Sequence, residues 1–422
     1  MRKMKESGIA WVGAIPADWN ITKGKYFMWV VERPVREDDG VITCFRDGEV
    51  TLRSKRREDG FTIATVEAGY QGIEPGDLVV HGMDGFAGAI GISDSRGKGT
   101  PALNVLDCNG NKRYIMYFLR AMAYGEVFLA LSTGIRVRTC DTNWKKLREL
   151  EYLVPSEEEQ DTIVAFLDRK CANLTALTNV IQEEIETLEQ YKQSVITEVV
   201  TNGLRKGAIA TKESGSEWVG VIPNSWVMRK GKYLFVQRNE RGNSFELQLL
   251  SPTQKFGVIP QTLYEELTGM SAVKLNENTD LSLMKTIHKG DYCISLRSFQ
   301  GGFEYSEYEG VVSPAYQVFY PTVEIADGYY KYLFKEKGFI EKMNSYTMTL
   351  RDGKNIAFAD FGNTYIPYPP VEEQREIAEF LDGKVAEIDA VIAQKKEQLS
   401  VIENYRRSLI YEYVTGKKEV EV

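Results

Sequence analysis

The chain has two histidines and five cysteines in 422 residues, and both shortages exclude chemistry. Cys44, Cys108, Cys140, Cys171 and Cys293 are odd in number, scattered, and form no C-x-x-C pair. Neither a disulfide framework nor a cysteine metal site is expected. His81 and His288 have no companions at ligand spacing and read as incidental. No apolar run approaches the roughly 20 residues of a membrane span. The charged start, Met1 to Glu6, has no apolar stretch behind it and does not read as a secretory signal. A reducing cytoplasm is the expected setting.

Signatures of catalysis are also missing. There is no phosphate-binding Walker pattern, since Gly231-Lys232 lacks the preceding glycine, and no Gly-x-Gly-x-x-Gly run. Tyr368-Pro369-Pro370 is not the Asn- or Asp-Pro-Pro-aromatic signature of amino-methyltransferases. Carboxylates are plentiful, but none is paired with a nucleophile in a pattern that sequence reveals. The expectation is a chain without a catalytic site of its own. A nuclease with a dispersed site and a scaffold without DNA contact stand as alternatives.

What is present is an ordinary globular composition, 43% hydrophobic and 27% charged, in a length that suits two or three domains. The net charge of -8 counts against nucleic acid, because DNA binding draws on Lys and Arg that neutralise phosphates. Net charge is a sum, however, and acidic helices can offset a local basic face.

The dominant feature is an internal repeat. Glu6-Ser7-Gly8, Trp11-Val12-Gly13, Ile15-Pro16, Trp19 and Lys23-Gly24-Lys25-Tyr26 return 207 residues later, from Glu213 to Tyr233. Of the 21 positions from 6 to 26, 13 are identical. Glu158-Glu159-Gln160, Ile163, Phe166-Leu167-Asp168, Tyr191, Ser194 and Ile196 return 214 residues later, as Glu372-Glu373-Gln374, Ile377, Phe380-Leu381-Asp382, Tyr405, Ser408 and Ile410. Between these blocks the copies share only marks such as Gly76-Asp77 with Gly290-Asp291 and Pro101-Ala102 with Pro314-Ala315. Two similar frames therefore hold two different middles.

The second block of each copy predicts a long helix. Pro155 and a Ser156-Glu157-Glu158-Glu159 capping box open the first, and Asn202-Gly203 closes it. Leu167, Leu174, Ile181, Leu188 and Val195 fall seven apart, with Leu177 and Tyr191 near the complementary position. About 45 residues at ~1.5 Å each make a rod of roughly 65 Å. The second helix follows Pro369-Pro370 and carries Leu381, Ile388, Ile402 and Leu409. Lys395 interrupts the line, and Ile392 and Leu399 flank it. Such narrow stripes need a partner helix, and the nearest is the other copy. Pairing with a different polypeptide is the alternative.

The middles predict mixed, strand-rich structure. Strands are expected at Asp77–Val80 and Asp291–Ile294, tight turns or a loop across Gly82, Gly85, Gly88 and Gly91, and helices over Tyr114–Tyr124 and Tyr329–Phe339. Basic clusters lie in these divergent stretches: Arg53, Lys55, Arg56 and Arg57; Arg96 with Lys98; Arg136 with Arg138. The second copy has Arg297-Ser298-Phe299-Gln300, then Arg351 and Lys354. Arg and Gln can bond base edges in the major groove, and Lys mainly meets phosphate. These residues are the candidate DNA contacts.

The layout resembles the specificity subunit of type I restriction–modification systems over essentially the whole chain. The resemblance rests on the Trp11–Trp19 block with Lys25-Tyr26 and on Pro155 with Glu158-Glu159-Gln160, each duplicated. Pro369-Pro370-Val371-Glu372-Glu373-Gln374 is the fuller match, since Val154-Pro155 lacks the second proline. The resemblance implies an α+β chain: two strand-rich α/β target-recognition domains, residues 1–155 and 204–369, joined by two long antiparallel coiled-coil helices, residues 156–203 and 370–422, as a pseudo-twofold tandem repeat. Each domain would read half of a split sequence on double-stranded DNA, and the helices would set the gap. Two methyltransferase subunits, which bind S-adenosylmethionine, would dock on the chain and methylate adenine. A motor-nuclease subunit would join for cleavage. No cofactor is expected on the chain itself.

Overall fold

A computed structural model describes residues 2–57, 67–130, 142–204, 210–241, 248–270, 283–294, 302–346 and 356–421. The chain divides into two compact units, Met1–Gln182 with Lys396–Val422, and Glu183–Lys395. Each unit thus takes one strand-rich segment and a part of both long helices. No described helix is long and apolar enough to cross a membrane.

The long helices run Glu157–Asn202 and Val371–Val414. The Glu159 amide donates to Ser156 Oγ at 3.3 Å, which is one arm of the expected capping box. The Glu159 carboxylate is used elsewhere: it accepts from Trp19 Nε1 at 3.0 Å and pairs with Arg2. Gly203 ends the first helix at φ +78°, a conformation that costs other residues energy.

In the first unit, burial along Leu167, Cys171, Leu174, Thr178 and Ile181 alternates steps of four and three, the spacing of a coiled-coil seam. Phe166 packs on Tyr413 with ring centroids 4.4 Å apart, and Arg406 donates to Thr175 at 3.2 Å. One helix climbs in number as its partner falls, so the pair is antiparallel. The second unit repeats the pattern, with Lys192 bonding Asp389 at 2.6 Å and Lys395 meeting Glu184 at 2.7 Å. Lys395 therefore sits in the seam with its charge answered across the pair.

The expected complementary line is corrected. Leu177 is 46% exposed and Tyr191 49% exposed. The seam is completed by positions such as Thr178, Ile185 and Lys192, one residue further on. Leu177 and Val180 instead form a stripe beside it. In the same unit Val401 and Tyr405, 61% and 53% exposed, hold the matching heptad positions of the other helix. In an antiparallel pair these positions flank the same side of the seam.

Both strand-rich segments carry a four-stranded antiparallel sheet of one topology. In space the strands are ordered Met28–Val30, Leu103–Cys108, Leu78–His81, Ile90–Ile92 in the first, and Phe235–Gln237, Gln317–Pro321, Tyr292–Ile294, Phe303–Tyr305 in the second. Strand alternation splits each sheet between two cores. Leu78 and Val80 face the large core with the long-helix residues, and Val79 faces a small outer core with Ile42, Cys44 and Val50. Tyr292 and Ile294 against Cys293 repeat this division.

The repeated motifs are the attachments between sheet layer and long helices. Trp19 and Trp226 are fully buried, and truncating either to Ala costs about 3–5 kcal/mol. Gln160 accepts from the Asn111 amide at 3.0 Å and donates to Pro155 O at 3.0 Å. Gln374 does the same to the Ala326 amide and Pro369 O, at 2.9 and 2.8 Å. Tyr114 donates to Val414 O at 3.1 Å in one unit, and Tyr329 to Val200 O at 2.7 Å in the other. Asp77 grips the Arg33 guanidinium and accepts from the Glu74 amide, while Asp291 grips Arg238 and accepts from the His288 amide.

The helix expected over Tyr114–Tyr124 is present as Lys112–Tyr124. The one expected over Tyr329–Phe339 is broken into Asp327–Leu333 and Lys337–Ser345. Glu336 causes the break: its carboxylate accepts from the Phe339 amide at 2.7 Å and from Thr197 Oγ1 at 3.1 Å, capping a new helix.

Candidate nucleic-acid interface

The Arg53–Arg57 cluster follows a hairpin of Ile42–Cys44 and Val50–Leu52, and its first four residues form a helical turn, Arg53–Arg56. The hairpin packs on the outer face of the sheet through Ile42, Cys44 and Val50. The Gly-rich stretch makes that approach possible, since a Cβ at Gly91 would overlap the Gly48 carbonyl.

Between the hairpin, the helical turn and the loop after His81 lies a cavity of about 590 Å³. Arg46, Arg53, Arg56 and Arg57 line it against Asp47 and Asp84. Four guanidinium groups facing two carboxylates make a positive concavity in an acidic chain, a setting that draws phosphates and base edges. Arg56 is anchored: it bonds both Asp47 oxygens at 3.0 and 2.6 Å and Glu49 at 2.6 Å, and it stacks 4.0 Å over Phe45. Burial pushes the Asp47 carboxyl up, but the Arg56 fork and the Glu49 amide outweigh it, so Asp47 sits below its ordinary value. Arg53 donates from Nε to Thr43 at 3.0 Å. Arg46 bonds Asp84 at 2.9 Å. Cys44 lies in the wall, and burial pushes its thiol up to about 12, so it is an inert wall residue.

Lys55 points away from this cluster's centre to Ser95 at 2.6 Å and Asp94 at 3.3 Å. Lys98 bonds Glu67 at 2.7 Å. Arg96 holds Asp39 with two bonds of 2.8 and 2.7 Å, Glu74 at 2.6 Å and Pro34 O at 3.2 Å. The Arg96 fork and the Arg36 amide hold Asp39 down at about 2. Arg136, Arg138, Arg297, Ser298, Phe299, Gln300, Arg351 and Lys354 lie outside the described residues. Arg46, His81 and Asp84 were missed by sequence reading. Each is isolated in the chain, and only the folded hairpin and loop bring them to the arginine cluster.

The second unit has the same hairpin, Leu250–Thr253 with Gly257–Pro260, followed by a helix at the corresponding place. There the helix reads Gln261–Thr268, QTLYEELT, in place of the RSKR of the first unit. One position in one topology is cationic in one copy and acidic in the other. Among the described residues no group of three or more His, Cys, Asp or Glu is placed to hold a metal ion.

Two strand-rich domains of one topology, each tied to long helices by repeated Trp and Gln contacts, define a duplicated α+β architecture. Residues 229–401 match the type I restriction modification DNA specificity domain family. That stretch is thus similar to the type I specificity domain, and the likeness to a type I specificity subunit extends over nearly the whole chain. It is 23% identical over 451 aligned residues to the type I restriction enzyme MjaX specificity subunit of Methanocaldococcus jannaschii, spanning 97% of this chain and 96% of that one. A chain from a structure on complex assembly and conformational transition of the type I R-M system shares the fold, with TM-score 0.68 at 14% identity over 96% of this chain and 99% of that one. The HsdS subunit from Thermoanaerobacter tengcongensis gives TM-score 0.47 at 14% identity, over 98% and 100% of the two chains.

Proposed function

We propose that this chain is the non-catalytic, sequence-specific DNA-binding subunit of a type I restriction–modification complex. Each strand-rich domain reads one half of a bipartite target on double-stranded DNA, and the long helices set the gap. The observation that carries the reading is one scaffold with two surfaces. The sheets, the buried Gln160 and Gln374 and the buried Trp19 and Trp226 repeat, while the helix after the outer hairpin is RSKR in one copy and QTLYEELT in the other. A scaffold serving one partner twice has no need of opposite charge at matching positions.

The chemistry then belongs to partners. Two modification subunits, carrying S-adenosylmethionine, methylate adenine in each half-site, and a motor-nuclease subunit joins for cleavage. The stripe of Leu177, Val180, Val401 and Tyr405 supports helix docking by the modification subunits, since exposed apolar side chains at heptad spacing on a long helix pair fit another helix. The test is to incubate the purified chain with DNA and Mg²⁺, alone and with the modification subunits. Methylation of a split motif only in the complex is expected. Cleavage or methylation by the chain alone contradicts the reading.

A further inference from the structure

The arginine cavity has one imidazole among its lining residues, His81. We propose that His81 reads a base of the first half-site, its Nε2–H donating to the major-groove acceptor edge of a purine. This rests on the DNA-recognition reading above and adds the residue and the contact.

The ring's orientation is set by its own loop. Nδ1 accepts from the Met83 amide at 3.2 Å and from the Asp84 amide at 3.1 Å. A nitrogen that accepts two amide protons carries none, so the proton of the neutral ring is on Nε2. Burial holds the imidazole below its ordinary value, which keeps the ring neutral near pH 7. His81 is one of the residues that line the cavity, and Nε2 makes no hydrogen bond to a described residue. A donor held in one tautomer and one ring orientation therefore belongs to a residue that lines the same cavity as Arg46 and Asp84.

The loop is also pre-organised. Thr142 Oγ1 donates to His81 O at 2.8 Å and is 3.1 Å from Gly82 O, and the Gly82 amide bonds Ala102 O at 2.6 Å. Side chains held this firmly discriminate well, because little ordering remains when the ligand arrives. Met83 projects at the loop tip, 58% exposed, beside the ring. The loop joins the two strands, Leu78–His81 and Ile90–Ile92, whose counterparts in the second copy flank Arg297 to Gln300, the candidates with the most base-reading character. Purine N7, guanine O6 and thymine O4 are the acceptors that a single N–H donor can meet in the major groove, and the purine of every base pair presents at least N7.

The experiment uses the chain in complex with its modification subunits and a pool of random duplexes. His81→Asn keeps an acceptor near Nδ1 for the loop and leaves no donor at the Nε2 position, since its shorter amide does not reach there. His81→Gln keeps a donor near Nε2 and removes the acceptor. The expected result for His81→Asn is a roughly tenfold loss of preference at one base pair of one half-site, with the other half-site and the salt slope unchanged. His81→Gln retains more of that preference. Wild-type preference in His81→Asn overturns the proposal, as does impairment of His81→Gln alone, which marks a loop-shaping role. Equal weakening on all sequences with a shallower salt slope also overturns it, since that marks a phosphate contact. If His81→Asn loses both half-sites through misfolding, His81→Gln decides: retained preference supports the reader, and selective loss refutes it. A wild-type complex that enriches no split motif fails the functional reading itself.

Discussion

Replacing Arg96 by alanine separates a structural arginine from a DNA contact. Its guanidinium holds Asp39 by two bonds of 2.8 and 2.7 Å, and the Asp39 side chain is 2% exposed. Removing the arginine leaves a nearly buried carboxylate unpaired, a change that costs about 3–5 kcal/mol in deep sites and less near a surface. A second route gives a similar figure. Arg96 first, with the Arg36 amide, lowers Asp39 from 3.8 to about 2, and that shift is worth about 2 kcal/mol. The sign follows from the depressed value: the stabilisation is complete above pH 3.8 and is lost as pH falls through 2. Urea unfolding of Arg96→Ala at pH 7 should therefore show a loss of about 2–3 kcal/mol, shrinking on acidification. Arg96→Ala combined with Asp39→Asn should recover part of it, as expected for residues in direct contact. The folded fraction of Arg96→Ala in complex should keep its half-site preference. Unchanged stability at pH 7, or altered base preference with normal stability, refutes the structural assignment.

Three further outcomes follow from the same geometry. Glu304 is 1% exposed and meets Lys335 at 2.5 Å, and burial raises its carboxyl from 4.5 to about 7, with Lys335 offsetting part of the rise. A raised acid favours the folded state while protonated, so its contribution declines as pH climbs from 4.5 through 7; Glu304→Gln should be more stable than wild type by on the order of 2 kcal/mol at pH 8 and equal to it at pH 4.5, by urea unfolding. Leu177→Glu with Tyr405→Glu changes two exposed positions and should alter stability by roughly 0.5 kcal/mol or less, yet abolish co-purification with the modification subunits. Deleting residues 184–190 together with the facing 389–395 removes one heptad from each helix, about 10 Å at ~1.5 Å per residue, and should shorten the recognised gap by about three base pairs with both half-sites unchanged. An unchanged gap in a duplex selection tells against the helices as spacer.

The long helices were legible because a heptad is a local pattern, and Leu167, Ile181, Leu381 and Ile388 are buried where the spacing put them. The second line of the seam was not, because it contains Thr178, Lys192 and Arg406, polar residues whose partners are remote in sequence. Leu177 and Tyr191 looked like the better seam residues because sequence cannot distinguish an apolar side chain that faces a partner helix from one that faces water. The strands after Gly76 and Gly290 were legible from turn and β-branched residues, but their common spatial order depends on long-range pairing that no local signal carries. At the candidate site the contiguous Arg53–Arg57 run was visible. Arg46 comes from the hairpin turn and His81 with Asp84 from the loop after another strand, and Arg96 looked free because Asp39 and Glu74 lie far from it in the chain.

The central claim is that one chain directs recognition of two half-sites. Methylome sequencing of a host that carries this chain and its modification subunits tests it directly. The account predicts methyladenine in a split motif, two short specific sequences separated by a fixed unspecified gap, that disappears when the chain is removed. Methylation at a single contiguous motif, or methylation that persists without this chain, contradicts it.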